Sequence, residues 1–142
     1  MPPPFEHKAF HLALLPNIYF VKQLSTSAEL PENVLSLLSG PGFFSITRTS
    51  EEISIVGEIT DDPQIRSLSG GISDWRCIKI AGPMEFEITG VVCNFTTPLK
   101  TAGIPVYVVS TWNTDYVLVP KAKAEQAVEV LKTDGWCFTM AS

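Results

Sequence analysis

The sequence predicts an α+β fold, an α/β sandwich of two ferredoxin-like lobes with antiparallel sheets and helices on one face. Three observations lead to this prediction. Hydrophobic residues make up 45% of the 142-residue chain and charged residues 18%, which is enough apolar material to bury a core. The second half reads as strand, helix, strand, strand, helix, strand. The first half supplies at least the first four of these elements.

The first lobe is expected over residues 10–60. Its apolar N-terminal stretch predicts one strand, or two short strands on either side of Pro16. A short helix is expected from Pro31, because proline suits a first helical turn, and Gly40 follows as a stop signal. The strands of this lobe are expected at 12–24, 43–47 and 53–56.

A linker or edge connection is expected at residues 61–74, which are polar and contain Asp-Asp-Pro and Gly-Gly. The second lobe follows at 75–140. Its helices are expected at 90–102 and 122–132, and Pro98 should kink or shorten the first of them. Its strands are expected at 75–80, 104–111, 116–119 and 136–138.

The two lobes resemble each other as a diverged internal repeat. Residues 43–47 are similar in character to 106–110, and residues 52–56 are similar to 115–119, both at an offset of 63. This alignment makes Glu52 the counterpart of Asp115. Any two β-hairpins share the same alternation of apolar and polar residues, so chance similarity is the alternative explanation.

Composition and motifs exclude several classes of function. The net charge of −5 argues against nucleic acid and against anionic membrane surfaces, which need clustered Lys and Arg. No CxxC pair occurs among the three cysteines, so reduced thiols and a cytoplasmic location are expected. The N-terminus does not resemble a signal peptide, and no apolar run has the ~20 residues that a membrane span needs.

Catalysis is not expected. The sequence contains no P-loop, GxGxxG, HExxH or GxSxG motif, and neither His7 nor His11 has an evident nucleophile or metal partner. The chain is therefore predicted to be no enzyme and to carry no cofactor and no metal.

Several segments resemble one family of regulatory domains. The most recognisable is Ser-Thr-Trp-Asn-Thr-Asp-Tyr-Val-Leu-Val at 110–119, an S-T-aromatic-x-T-D-aromatic-x-L-V hairpin. The other matching segments are 75–83, 86–92, 98–99 and 102–106, with a companion hairpin at 43–49 and 52–56. Together they resemble tandem ACT-domain proteins of the subfamily that includes the ACT lobes of the CASTOR arginine sensors.

The resemblance implies a non-catalytic regulatory or sensor protein that holds a free amino acid between ACT lobes. It also implies side-by-side assembly into a homodimer or higher oligomer, with a regulated protein partner as a further possibility. The alternative is a structural or adaptor ACT module that binds another protein without a ligand. The arginine sensors carry an acidic residue where this chain has Ile88, so arginine is not expected unless the loop shifts and brings in Glu87.

An amino-acid site needs donors for a carboxylate and acceptors for an ammonium group. Unpaired N–H groups are expected where the 89–92 loop enters a helix, although Thr89 could be only an N-cap and Gly90 only a turn residue. Asp115 could accept from the ammonium group, or could belong with its neighbours to a simple turn. The resemblance implies ligand contacts at Ser110, Asp115 and the Gly90 loop. The candidate ligand-binding residues are Thr89, Gly90, Val91, Val92, Ser110, Thr111, Asp115 and Glu52.

Overall fold

The computed structural model describes residues 11–27, 30, 34–70, 74–80 and 91–139. These residues form a mixed α+β fold, as the sequence predicts. They fall into two compact units, called here the first unit (17–75) and the second unit (11–16 with 76–139).

The first unit is a three-stranded antiparallel sheet with helices packed on its apolar face. Strand β4 lies between β2 and β3 and pairs antiparallel with both. Phe20 and Ile55, both fully buried, pack with Leu37 and Ile65 of the two helices. The elements are β2 (Tyr19–Leu24), a 3-10 helix (Val34–Ser39), β3 (Phe44–Arg48), β4 (Ile53–Glu58) and α1 (Pro63–Ser69).

Helix α1 lies inside the segment that the sequence predicts to be a linker, 61–74. The Asp62 side chain caps it by accepting a hydrogen bond from the Gln64 N–H at 2.9 Å, and Pro63 occupies its first turn. Gly70 ends it in the left-handed conformation, with φ of 58°. The residues that suggest a linker are therefore the start and stop signals of a seven-residue helix.

The second unit contains the predicted strand-helix-strand-strand-helix-strand order. Its strands lie in the order β6-β7-β5-β1-β8. Strand β1, expected in the first lobe, pairs antiparallel with β5 and parallel with β8. The elements are β1 (His11–Leu14), β5 (Trp75–Ile80, all but its first residue), α2 (Val91–Thr101), β6 (Tyr107–Ser110), β7 (Asp115–Pro120), a 3-10 turn (Lys121–Lys123), α3 (Ala124–Thr133) and β8 (Cys137–Phe138).

Helices α2 and α3 cover one face of this sheet. Leu99 and Leu131 are fully buried against strand residues such as Ile78 and Val117. The rings of Phe95 and Trp136 meet edge to face, with centroids 5.5 Å apart. Helix α2 continues beyond Pro98 to Thr101, so the expected shortening at the proline does not occur.

The two hairpins repeat with an offset of 62 residues. The last pair of the β3–β4 ladder is Arg48 with Ile53, and the last pair of the β6–β7 ladder is Ser110 with Asp115. Helix α1, shifted by the same offset, falls within α3. The offset of 63 that residue character suggests is therefore wrong by one.

This correction changes which residues correspond. Ile53, and not Glu52, is the counterpart of Asp115, and Glu52 is the counterpart of Thr114. A shift of one residue in a strand moves every side chain to the other face of the sheet. The sequence comparison matched two acidic residues whose side chains do not occupy equivalent positions.

Candidate functional site

The β6–β7 hairpin carries three of the candidate residues. Ser110 pairs with Asp115 at the end of the ladder, and the turn between them is closed by Thr111. The Thr111 N–H donates to the Thr114 carbonyl at 2.9 Å, and the Thr111 hydroxyl donates to the same oxygen at 3.0 Å. Ser110 and Thr111 are exposed, and the Thr111 hydroxyl serves the turn.

Thr114 attaches this hairpin to the end of β5. Its hydroxyl donates to the carbonyl of Ile80 at 2.8 Å, and its side chain is almost completely buried. Ile80 is the last residue of β5, so this hydrogen bond fixes the hairpin at the end of that strand. Sequence reasoning did not include Thr114, although it precedes Asp115 in the hairpin motif.

Asp115 is a buried carboxylate on the apolar side of the sheet. Side chains alternate along β7, so Asp115 faces the same way as the core residues Val117 and Val119. Only 4% of Asp115 is exposed. In the described part of the chain, no hydrogen bond or ion pair reaches its carboxylate. Burying an unpaired carboxylate is costly, and a donor or a cation would offset the cost.

The N-terminus of α2 is the second part of the expected site. The helix begins at Val91, so its first N–H groups have no partners within the helix. Thr89 and Gly90 lie outside the described residues, and only the backbone of Val91 and Val92 is described.

Glu52 belongs to the first unit, in the turn between β3 and β4. Its carboxylate accepts a hydrogen bond from the Gln23 side-chain amide at 3.1 Å. The neighbouring Ile53 is 5% exposed and packs in the core of the first unit. The position that carries a buried acid in the second unit is therefore apolar in the first.

The face of β7 opposite the helices carries Tyr116. The ammonium group of Lys79 lies 6.0 Å from the centroid of its ring. Burial raises the pKa of the Tyr116 hydroxyl above its usual range, and the nearby Cys77 thiol raises the pKa further. Tyr116 is thus a neutral, half-buried phenol in this environment.

The described residues contain no group of three or more His, Cys, Asp or Glu side chains arranged to hold a metal ion. Within the same ranges, no helix combines the length and the apolar character that crossing a bilayer requires.

Comparison with known proteins shows which domain family part of the chain matches. Residues 71–133 match the family model described as ACT domain. The arginine sensor "Cytosolic arginine sensor for mTORC1 subunit 1" of Bos taurus is 34% identical in an alignment of 105 residues that covers 66% of this chain and 31% of that protein. The human protein of the same name is 30% identical over 78% of this chain and 33% of its own length. The chain therefore spans about a third of the curated relatives that it matches.

One solved structure is similar along almost the whole chain. The Agobacterium tumefaciens protein Atu0741 is 34% identical, with a TM-score of 0.74 and coverage of 93% of both chains. A Clostridium acetobutylicum aspartate kinase, 14% identical with a TM-score of 0.61 over 87% of this chain, shares the fold alone. Residues 71–133 therefore match an ACT domain, and the chain shares its fold with these solved structures.

Proposed function

We propose that this chain is a non-catalytic sensor that binds a free amino acid and changes the activity of a protein partner. In this proposal the chain is a tandem ACT protein with lobes at 10–60 and 75–140, and the ligand is held between ACT lobes. The ACT domain at 71–133 and the similarity to proteins named as cytosolic arginine sensors support a regulatory role. The 62-residue repeat of the hairpins supports the tandem arrangement.

The buried carboxylate of Asp115 carries the proposal. A free amino acid always brings an ammonium group, and a charged hydrogen bond to Asp115 would neutralise both charges. The N–H groups at the start of α2 would receive the amino acid's carboxylate, which the positive end of the helix dipole also favours. Ser110 and the Gly90 loop would complete the contacts, and Glu52 would face a neighbouring site.

A thermal-shift screen of the purified chain against the twenty amino acids tests this proposal. A ligand present at 100 times its Kd stabilises the folded state by about 2.7 kcal/mol, so a specific ligand should raise Tm clearly. Arginine belongs in the screen, but Ile88 stands where the sensors have an acidic residue, so another amino acid should give the largest shift.

Calorimetric titration of Asp115→Ala with that ligand tests the residue. Removing one partner of a buried charged pair costs about 2–5 kcal/mol, which lowers affinity roughly 30-fold or more. The matched control is Asp74→Ala, an exposed acid next to β5. Unchanged affinity in a folded Asp115→Ala variant would remove Asp115 from the site.

A protein-binding module without a ligand is the second candidate. The tip of the β6–β7 hairpin presents Trp112 with 82% of its surface exposed, and exposed tryptophan is typical of protein interfaces. A flat response to all twenty amino acids, with partner binding that Trp112→Ala abolishes, would favour this adaptor role over the sensor.

A further inference from the structure

The first unit contains a cavity of about 210 Å³ that the proposed amino-acid site does not use. It lies at the end of β4 that carries Glu58, whereas the β3–β4 turn and Ile53 lie at the other end of this strand. Its apolar lining includes Leu37, Phe43, Phe44 and Ile65.

The missing side chain at Gly42 helps to leave this space open. The offset of 62 aligns Gly42 with Ile104, which is 3% exposed and packs in the core of the second unit. The backbone does not require glycine at position 42, since only Gly70, Gly103 and Gly135 have positive φ among the described residues. A Cβ at Gly42 would lie 3.3 Å from Thr60 Cγ2 and would take up space between lining residues.

The cavity also has a charged side chain, Glu58, at a position that is uncharged in the second unit. The same offset aligns Glu58 with Pro120. Glu58 Oε1 lies 3.4 Å from both the Tyr19 hydroxyl and the Phe43 N–H, and Oε2 accepts from the Asn17 amide. These donors are all neutral, and no ion pair to Glu58 forms among the residues that the structure describes.

Aromatic rings stand beside this carboxylate. Tyr19 and Phe43 meet edge to face, with centroids 5.7 Å apart. A carboxylate next to aromatic rings favours an organic cation, which gains a charged hydrogen bond and contact with the ring of Phe43, a lining residue of the cavity. A second acid, Asp62, also lines the cavity, so a ligand with its own carboxylate would be repelled.

We propose that this cavity binds a small primary ammonium compound with a branched apolar body and no carboxylate. The ammonium group would bind Glu58, and the apolar body would pack between Leu37 and Phe44. Drug-sized ligands occupy pockets of about 300–1,000 Å³, so the smaller volume here suits a short alkylamine. A complete amino acid would not bind here, because the acids that line the cavity repel its carboxylate. The ligand of this cavity therefore differs from the ligand proposed for the site at Asp115.

Three probes of one shape test the proposal with the full chain. Isopentylammonium, leucine and isopentanol share a branched body and differ in the ammonium and carboxylate groups. Titration of ¹⁵N-labelled protein, followed by NMR, should show isopentylammonium shifting resonances at 37–44 and 58–65, with leucine and isopentanol leaving them unchanged. Equal binding of isopentanol, or shifts confined to other residues, would overturn the proposal without recourse to any variant.

Substitutions then test which residues bind isopentylammonium. Glu58→Gln should lower the affinity for isopentylammonium about tenfold or more, because the glutamine oxygen can still accept a hydrogen bond but no longer carries the negative charge that strengthens it. Gly42→Ala should weaken binding by filling the space, and the exposed Glu51→Gln is the control. Asp115→Ala should leave amine binding intact. If Glu58→Gln bound isopentylammonium as tightly as the wild type, Glu58 would not be the group that holds the ammonium. If a variant lost only the binding of an amino acid, the result would concern the site at Asp115 and not this cavity.

Discussion

Asp115 and Ile53 occupy equivalent positions in the ladders of two hairpins, yet one is an acid and the other is apolar. Each is the first residue of its strand and faces the helix-covered side of its sheet. Both are at least 95% buried. An apolar residue therefore fits this position, and the acid in the second unit is a cost that a ligand would offset.

Replacing Asp115 by isoleucine, the residue at the equivalent position of the first unit, should change the free energy of unfolding and the binding of an amino acid in opposite directions. We expect Asp115→Ile to raise the free energy of unfolding of the ligand-free protein by about 1–3 kcal/mol, since a charged group is removed from a largely buried position beside apolar core residues. Amino-acid binding should be lost. Urea unfolding and calorimetry of the same preparation measure the two effects, and a destabilised variant would show that Asp115 has a structural partner.

The reverse substitution is the matched control. Ile53→Asp should cost about 3–5 kcal/mol, because it leaves a charge without a partner in an apolar core. Among the residues that the structure describes, a buried acid occurs only in the second unit, so wild-type calorimetry should give one amino acid bound per chain. Two equivalent sites per chain would contradict this account.

Tyr116 predicts a loss of stability at alkaline pH. Its pKa is raised in the folded protein by burial and then by Cys77, so the fold favours the neutral phenol. The contribution of this residue is complete below the unfolded pKa of about 10 and is lost as the pH rises through it toward the folded pKa. Chemical unfolding should show a smaller alkaline decrease in Tyr116→Phe than in the wild type, and equal decreases would exclude Tyr116 as the cause.

At the scale of elements, the β6–β7 hairpin is held to β5 by strand pairing and by one buried side chain, Thr114. Thr114→Val keeps the shape of the residue and removes its hydrogen bond to the Ile80 carbonyl. We expect a loss of about 1–3 kcal/mol in the free energy of unfolding, because both groups are buried. The control is Thr111→Val, whose hydroxyl serves an exposed turn and should matter less. Equal losses in the two variants would contradict a special role for Thr114.

At the scale of the whole molecule, the outer strands predict self-association. Among the described residues, β3 pairs only with β4 and β6 only with β7. Strand β6 carries no charged residue, whereas β3 ends in Arg48, and an uncharged outer strand is a template for pairing. Light scattering should give twice the 15.6 kDa chain mass at micromolar concentration.

The matched pair Val109→Lys and Thr47→Lys identifies the strand responsible. The two positions are equivalent at the offset of 62, in β6 and β3 respectively. A lysine on an outer strand opposes pairing, so Val109→Lys should be monomeric and Thr47→Lys should remain a dimer. A wild-type chain that is monomeric, or a dimer that survives Val109→Lys, would contradict pairing through β6.

The sequence by itself determined the fold class of this protein and the order of elements in its second unit. Residues 110–119 carry an extended local motif, and the strands and helices around it are long enough to show their periodicity. Helix α1 was mistaken for a linker because seven residues are too few for a periodic pattern, although Asp62, Pro63 and Gly70 are its start and stop signals.

Only the tertiary structure decided the register of the repeat and the environment of Asp115. Register is set by hydrogen-bonded pairs between strands, and residue character alone allows a shift of one position. The bond from Thr114 to Ile80 joins residues 34 positions apart, and the burial of Asp115 arises from elements distant in sequence. Such contacts depend on how the chain packs, so no local pattern could predict them.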